Sequence, residues 1–337
     1  MLASAKSPVN RILVVRLGAM GDIIHTLPAV ASLKHSYPGS HLTWVVEPQW
    51  APLVEENPFV DHLLLLRRDS PASLLASWRA LRARRYDFAI DFQGLVKSAL
   101  VASAARPERI FGFHHTQVRE CAAALFYSNK VTTRSVHKVD QNLDLAAASG
   151  ASAVLRAFPL PPGRPEGELP EGDFVLANPL AGWRGKQWPM EHYGALAAQL
   201  RREMGIPLVM NLPPGAGAKG APPAMEGAVT HFSGIPGLID ATRRAAAVVG
   251  VDSGPLHLAD ALGKPGVAIF GPTDPARNGP CGDTLKLLRA PGAETKMRSP
   301  RPGAYHRGTV VDESMAAVTP DEVFECLRDV LRRCMVP

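Results

Sequence analysis

Arg11-Ile12-Leu13-Val14-Val15-Arg16-Leu17-Gly18-Ala19-Met20-Gly21-Asp22-Ile23-Ile24-His25 is the stretch on which the fold turns. Residues 11–17 form an apolar, valine-rich run of strand length, residues 18–21 a glycine-punctuated turn, and an apolar helical pattern then continues to about His35. A strand, a tight turn and a helix in that order open a parallel β-α-β layer, whose strand ends are the usual place for chemistry. Asp22 stands where strand gives way to helix. Two readings of it stay open: a carboxylate presented at the ligand edge of a sheet, or a helix cap contributing about 1 kcal/mol. The turn is not a dinucleotide fingerprint, because the GxGxxG spacing is absent and no acid follows about twenty residues on in the right context.

Outward from this unit the alternation continues. Strands read at HLTWVV (41–46), DHLLLL (61–66), YDFAIDF (86–92) and RIFGF (109–113), with helices at about 72–85, 95–105, 117–127 and 138–149. PLPPGRPEGELPEG (159–172) holds five prolines and almost no periodic apolar pattern, which marks a linker. A second α/β unit then starts afresh, with strands at DFVLAN (173–178), IPLVMN (206–211), AVVGVD (247–252) and GVAIFG (266–271) and helices at about 190–204, 237–246 and 254–262. Thr319-Pro320 opens a final helix over 319–333. The expected organisation is an N-terminal Rossmann-like domain over 1–160, a linker at 161–172, a C-terminal Rossmann-like domain over 173–318 and a terminal helix from 319 to 337. Two such sheets facing a central cleft suggest two substrates, one per half.

Composition narrows the class. A chain of 337 residues with 46% hydrophobic and 20% charged residues is globular and long enough for two cores. Cys121, Cys281, Cys326 and Cys334 lack metal-ligand spacing, so neither a zinc site nor a disulfide framework is expected. The opening MLASAKSPVNR lacks the apolar core of a secretory signal, and no stretch approaches the roughly 18 apolar residues that span a bilayer. A cytoplasmic location is expected. The net charge of +6 is concentrated: between Arg67 and Arg119 there are ten Lys/Arg against four acids, which accounts for the entire excess. Such a field suits an anionic partner. Arg79, Arg82, Arg84 and Arg85 read equally well as the solvated face of one helix.

The second half carries three polar loops after its strands. Gly250-Val251-Asp252-Ser253-Gly254-Pro255-Leu256-His257 runs from a strand into a helix whose first-turn amides would hold an anion such as a diphosphate. A purely structural turn is the alternative for Asp252. Gly182-Trp183-Arg184-Gly185-Lys186-Gln187-Trp188-Pro189 holds a lysine with flanking tryptophan and proline, well placed to point at a phosphate. Gly271-Pro272-Thr273-Asp274-Pro275 closes the next strand. Three such loops on one sheet edge favour a nucleotide site.

Taken together, LGAMGDIIHTLPAV, GKQWP, VGVDSGPLHLADALGKP and FGPTDPARNGP resemble the heptosyltransferases of lipopolysaccharide core assembly, glycosyltransferase family 9, from about residue 11 to the terminal helix. DFQGLVKSAL (91–100) and RECAAALFYS (119–128) are most similar to the heptosyltransferase I branch, which adds the first heptose to Kdo. The resemblance implies the two-domain GT-B fold and an inverting transfer of L-glycero-D-manno-heptose from ADP-heptose onto the Kdo of Kdo–lipid A. It implies Asp22 as catalytic carboxylate and Lys186 as the phosphate-contacting lysine. It further implies a donor site of Gly182, Lys186, Asp252, Ser253, Gly254 and His257, and an acceptor site of Arg119, Arg67 and Arg68. The enzyme would be peripheral on the cytoplasmic face of the inner membrane. No cofactor or metal is expected, since no DxD motif occurs.

One departure bears on the nucleotide. Family members often carry Gly-Pro-Gly-Glu-Glu after the second strand of the donor domain, whereas this chain has Pro213-Pro214-Gly215-Ala216-Gly217-Ala218 and lacks the acid. The alternatives are a second-heptose or other sugar transferase of the family, or a sugar-nucleotide epimerase of GT-B type, which would have no use for a basic acceptor face. A nucleic-acid-binding protein, suggested by an isoelectric point near 9.3, is disfavoured because no binding motif is present.

Overall fold

The computed structural model describes residues 9–216, 225–293 and 310–335. It separates into two compact units, dividing between Pro161 and Pro162. The first eight residues, on which part of the leader reading rests, lie outside the described residues, as do Gly217 and Ala218.

In the first unit the strands are β1 (Arg11–Val15), β2 (His41–Val46), β3 (His62–Leu65), β4 (Phe88–Asp91), β5 (Arg109–Phe113) and β6 (Asn129–Val131). They lie in the order β3-β2-β1-β4-β5-β6, and every pairing is parallel. The second unit repeats the plan with β7 (Val175–Asn178), β8 (Leu208–Leu212), β9 (Ala228–Phe232), β10 (Ala247–Val251), β11 (Gly266–Phe270) and β12 (Leu285–Arg289), ordered β12-β11-β10-β7-β8-β9. These pairings are parallel too. Each sheet is doubly wound, and each reverses its winding once: between β1 and β4 in the first, between β7 and β10 in the second. Crossovers diverge to opposite faces at such a point and leave a crevice beyond the carboxyl ends of the two strands. The fold thereby fixes where ligands are expected.

The central strands are buried on both faces, which is why they read as unbroken apolar runs. The outer strands β6, β9 and β12 were not expected from the sequence. Asn129-Lys130-Val131 has no buried residue, Ala228-Val229-Thr230-His231-Phe232 buries only His231, and Leu285–Arg289 is exposed at Lys286 and Leu287. An edge strand lacks one neighbour and needs no continuous apolar run.

Two helical expectations change. The pattern leading to His35 is two helices, Met20–Ile24 and Leu27–Ser36, broken at His25-Thr26 because Pro28 in the next first turn brings no amide hydrogen. The helix expected over 117–127 is a 3-10 turn, Cys121–Phe126. Its approach is claimed by other bonds: the Glu120 amide donates to Gly94 O at 3.0 Å, and its carboxylate accepts from Val96 N at 2.7 Å.

In the second unit Trp188, Tyr193 and Leu196 pack with Phe324, Leu327 and Leu331 of the terminal helix Pro320–Met335. That helix opens with a reciprocal cap, Thr319 N donating to Glu322 Oε2 at 2.8 Å and Glu322 N to Thr319 Oγ1 at 3.3 Å. Trp188 is fully buried and its indole N–H donates to Val318 O at 2.8 Å. Trp188→Ala is therefore expected to destabilise this unit by about 3–5 kcal/mol, read by chemical denaturation; a loss below about 1 kcal/mol contradicts the packing described.

Candidate active site

In the first unit every loop of interest leaves the carboxyl end of a strand. Arg16 follows β1, Glu47 follows β2, Arg67 and Arg68 follow β3, Phe92 and Gln93 follow β4, and Arg119 lies between β5 and β6. Asp22 occupies the third position of the helix Met20–Ile24, whose cap is Ala19, so it is not the capping residue. Its carboxylate faces two guanidiniums. Arg16 Nη2 lies 2.6 Å from Oδ1 and Arg119 Nη1 lies 3.4 Å from Oδ2. The pair is asymmetric: the Arg16 side chain is 6% exposed and that of Arg119 37%, with Asp22 between them at 31%.

Arg16 is locked on several sides. Its Nη1 donates to Phe92 O, its backbone amide donates to Val45 O, and its carbonyl accepts from Trp44 Nε1 at 3.1 Å. The Phe92-Gln93-Gly94 loop is itself held by the fully buried Asp91. Asp91 Oδ1 accepts the amides of Gln93 (2.9 Å) and Gly94 (3.2 Å), and Oδ2 accepts the hydroxyls of Ser98 (2.8 Å) and Tyr127 (2.7 Å). Burial pushes the Asp91 carboxyl up despite these donors, and pushes the Tyr127 phenol up as well. Gln93 then accepts the Leu17 amide at 2.8 Å, tying the β4 loop to the β1 loop. Glycine is required twice. A Cβ at Gly18 would come 2.5 Å from Trp50 Nε1, and Gly94 has φ +70° with Val118 directly against it, next to Arg119.

The electrostatic outcome is a carboxylate ionised throughout the neutral range. Burial alone would raise the Asp22 carboxyl, but Arg16 first and Arg119 second outweigh it, with His25 and Lys138 adding to the positive surroundings, and hold it at about 2. Since the folded value lies below the ordinary 3.8, the stabilisation is present above about pH 4 and is lost as pH falls towards 2. The other two acceptor candidates sit apart from this pair. Arg68 Nη2 lies 2.5 Å from Glu47 Oε1, which Lys97 also approaches at 3.3 Å, and Arg67 has an exposed side chain while its amide donates to Ser77 Oγ at 3.1 Å.

In the second unit the carboxyl edge gathers the other candidates. Lys186 Nζ lies 2.8 Å from Asp252 Oδ2, and His257 Nε2 lies 3.6 Å from Asp252 Oδ1. Asp252 is buried at the end of β10. Burial raises its carboxyl, but the His257 hydrogen bond and the Lys186 charge prevail and hold it well below the ordinary range. Lys186 ends a single 3-10 turn, Arg184–Lys186, with its ammonium 5.9 Å from the centre of the Trp183 ring. Gly182 lies in open space on the same loop. Ser253 caps the helix Gly254–Ala261 without using its hydroxyl, and Pro255 sits in the first turn, whose amides point out of the helix.

At this edge Asn178 escaped the sequence reading, and Thr273 was read only as part of the loop after β11. Asn178 Oδ1 at the end of β7, Ser253 Oγ after β10 and Thr273 Oγ1 after β11 are all buried and have no hydrogen-bond partner among the described residues. β11, β10 and β7 are consecutive neighbours, so these three orphans line one stretch of edge beside Lys186. A buried polar atom without a partner costs about 1–3 kcal/mol, and most folded chains retain few. A lone Asn in an apolar strand end carries no sequence signal, and the loop at Thr273 does not single out its hydroxyl; strand order brings the two together. Among the described residues, no group of three or more His, Cys, Asp or Glu is placed to hold a metal ion, and no helix is long and apolar enough to cross a membrane.

The Arg16–Asp22 pair yields a direct test. Arg16→Leu removes the larger opposing charge while leaving burial in place, so the Asp22 carboxyl is expected to rise from about 2 towards or above the ordinary carboxylate range. Carbon-detected NMR titration reads it; an unmoved midpoint means that Arg16 does not set the charge state.

Comparison with known proteins bears on the family and the fold. The family model described as glycosyltransferase family 9 (heptosyltransferase) matches residues 74–302, more than half of the chain. Lipopolysaccharide heptosyltransferase 1 of Escherichia coli O18:K1:H7 is 31% identical over 312 residues, covering 84% of this chain and 93% of that protein. The protein of the same name from Pseudomonas aeruginosa is 29% identical, with 81% of each chain covered. The solved structure of E. coli heptosyltransferase WaaC with ADP superposes with a TM-score of 0.73 at 25% identity, covering 95% of this chain and 99% of that one. E. coli heptosyltransferase II shares the fold, with a TM-score of 0.74 at 21% identity and coverage of 96% and 99%. The two doubly wound sheets are thus the GT-B fold, and the chain belongs to glycosyltransferase family 9, the heptosyltransferases, most like heptosyltransferase 1.

Proposed function

We propose that this enzyme transfers L-glycero-D-manno-heptose from ADP-heptose to the Kdo of Kdo–lipid A, with inversion, in one displacement. The observation that carries the reading is the carboxyl edge of the second sheet, where a lysine and three buried polar atoms without partners surround a helix N-terminus. A nucleoside diphosphate supplies the acceptors for Lys186, the first-turn amides and the two hydroxyls, and donors from its sugar or base suit Asn178 Oδ1. The relative whose solved structure holds ADP supports this choice of ligand.

The leaving group is ADP, and its departure builds charge on the β-phosphate. Lys186 and the amides of the Ser253-Gly254 turn stabilise that charge electrostatically. Asp252 and His257 act through Lys186 and the turn, fixing the ammonium where the phosphate forms. On the first unit Asp22 receives the proton of the attacking hydroxyl. A carboxylate held at about 2 is a weak base at rest, but the acceptor oxygen becomes strongly acidic as its bond to the anomeric carbon forms, so the proton moves late and a weak base suffices. Arg119, the more exposed of the two guanidiniums, recognises the acceptor's anionic groups with Arg67 and Arg68, through the planar fork that pairs bidentately with carboxylate or phosphate. Arg16 stays on Asp22 and keeps its carboxylate aimed.

Asp22→Asn is expected to lower kcat by roughly 10²–10⁴-fold with ADP affinity nearly unchanged; steady-state kinetics showing near-normal turnover would remove Asp22 from the mechanism. Thr273→Val separates a ligand role from a structural one. A hydroxyl that waits for ligand is expendable for folding, so the unliganded variant should be as stable as the parent or more so, while ADP or ADP-sugar binds about 1 kcal/mol more weakly. Calorimetric titration and thermal unfolding together decide it: lost stability with unchanged affinity assigns Thr273 to the fold instead.

A further inference from the structure

The loop that carries Lys186 is built around an indole. Trp183 leads into the turn Arg184–Lys186 from extended backbone, and its carbonyl accepts the Lys186 amide at 3.3 Å. The turn folds back on the ring, so that a Cβ at the buried Gly185 would come 2.3 Å from Trp183 Cζ3 and 2.8 Å from Cε3. That contact is what demands glycine, since the backbone of Gly185 is not left-handed. The same ring faces the lysine. Lys186 Nζ lies 5.9 Å from its centre, inside the roughly 6 Å over which an aromatic face attracts an ammonium. On the other side Asp252 Oδ2 is 2.8 Å from the same nitrogen, and the lysine side chain is left only 16% exposed.

We infer that Trp183 is a positioning residue for the donor's diphosphate, acting through Lys186: its ring and the Asp252 carboxylate clamp the ammonium where the leaving phosphate forms. The inference rests on the donor site proposed above. An ammonium has three N–H groups and no acceptor. With one turned to Asp252 and another to the ring, the third is left for a phosphate oxygen. The two walls of the clamp differ in charge, and that difference matters. A second carboxylate in place of the indole would fix the lysine equally well but would repel the incoming anion, whereas an aromatic face attracts the cation through its quadrupole and carries no net charge. A four-carbon side chain ordered before the ligand arrives also costs less to immobilise on binding. Gly185 belongs to the device, because any side chain there displaces the ring.

Calorimetric titration of ADP into the full chain and its variants tests this. Trp183→Phe keeps an aromatic face and should bind within about twofold of the parent, while Trp183→Leu, apolar but without a quadrupole, should bind about fivefold more weakly. Gly185→Ala keeps the indole but pushes it off the turn, and should weaken binding as Trp183→Leu does. The unliganded thermal midpoint of Trp183→Leu should match the parent's, since Trp183 lies outside this unit's apolar core. In a Lys186→Ala background Trp183→Leu should have no further effect, which a ring that touched the nucleotide itself or merely shaped the fold would not show. Parent-like affinity in Trp183→Leu, or a loss that persists in the Lys186→Ala background, overturns the inference and leaves the donor site standing. A parent protein that does not bind ADP overturns the donor site and the inference with it.

Discussion

The buried carboxylate of Asp91 is the constraint on which the first unit's chemistry rests. Four donors converge on it, two of them amides of its own loop, and together they hold Phe92-Gln93-Gly94 in a shape that the loop would not keep alone. Each product of that shape is used. Phe92 offers its carbonyl to Arg16, Gln93 receives the Leu17 amide, and Gly94 lies against Val118, the residue before Arg119. Arg16 and Arg119 reach Asp22 from opposite oxygens as a result. The charge state of one partly exposed carboxylate thus depends on a second, fully buried one across the sheet's winding reversal.

The second unit solves the same problem with a different device. Its reversal between β7 and β10 places Asp252 at a strand end, where it spends its charge on Lys186 and His257 and leaves the neighbouring Asn178, Ser253 and Thr273 unsatisfied. A positive group held in place beside unpaired donors and acceptors is preorganised for an anion, because little has to move when the anion arrives. One sheet edge therefore carries a negative charge between guanidiniums and the other a lysine among open polar groups, which the proposed function uses as the two halves of a glycosyl transfer.

Much of this was legible in the residues. β1, β4, β7 and β10 are covered on both faces and show as apolar runs, and Asp22, Lys186 and Asp252 stand out as charged residues in the glycine-containing segments that follow such runs. What could not be read has a common cause. β6, β9 and β12 are outer strands only partly covered, and their existence is decided by the neighbour they pair with. Arg16 reads as a strand flank until the parallel register brings Phe92 and Asp22 beside it. Thr273 and Asn178 become a pair only through the order β11-β10-β7, which no local pattern encodes. The helix expected at 117–127 failed for a similar reason, Glu120 being claimed by Gly94 and by Val96 at the start of the neighbouring helix.

The most direct measurement is mass spectrometry of Kdo–lipid A incubated with the protein and ADP-heptose. The account predicts an acceptor heavier by one heptose, ADP released in equal amount, and neither product with Asp22→Asn. Unmodified Kdo–lipid A in the presence of active, folded protein, or heptose released to water with no acceptor consumed, would contradict it.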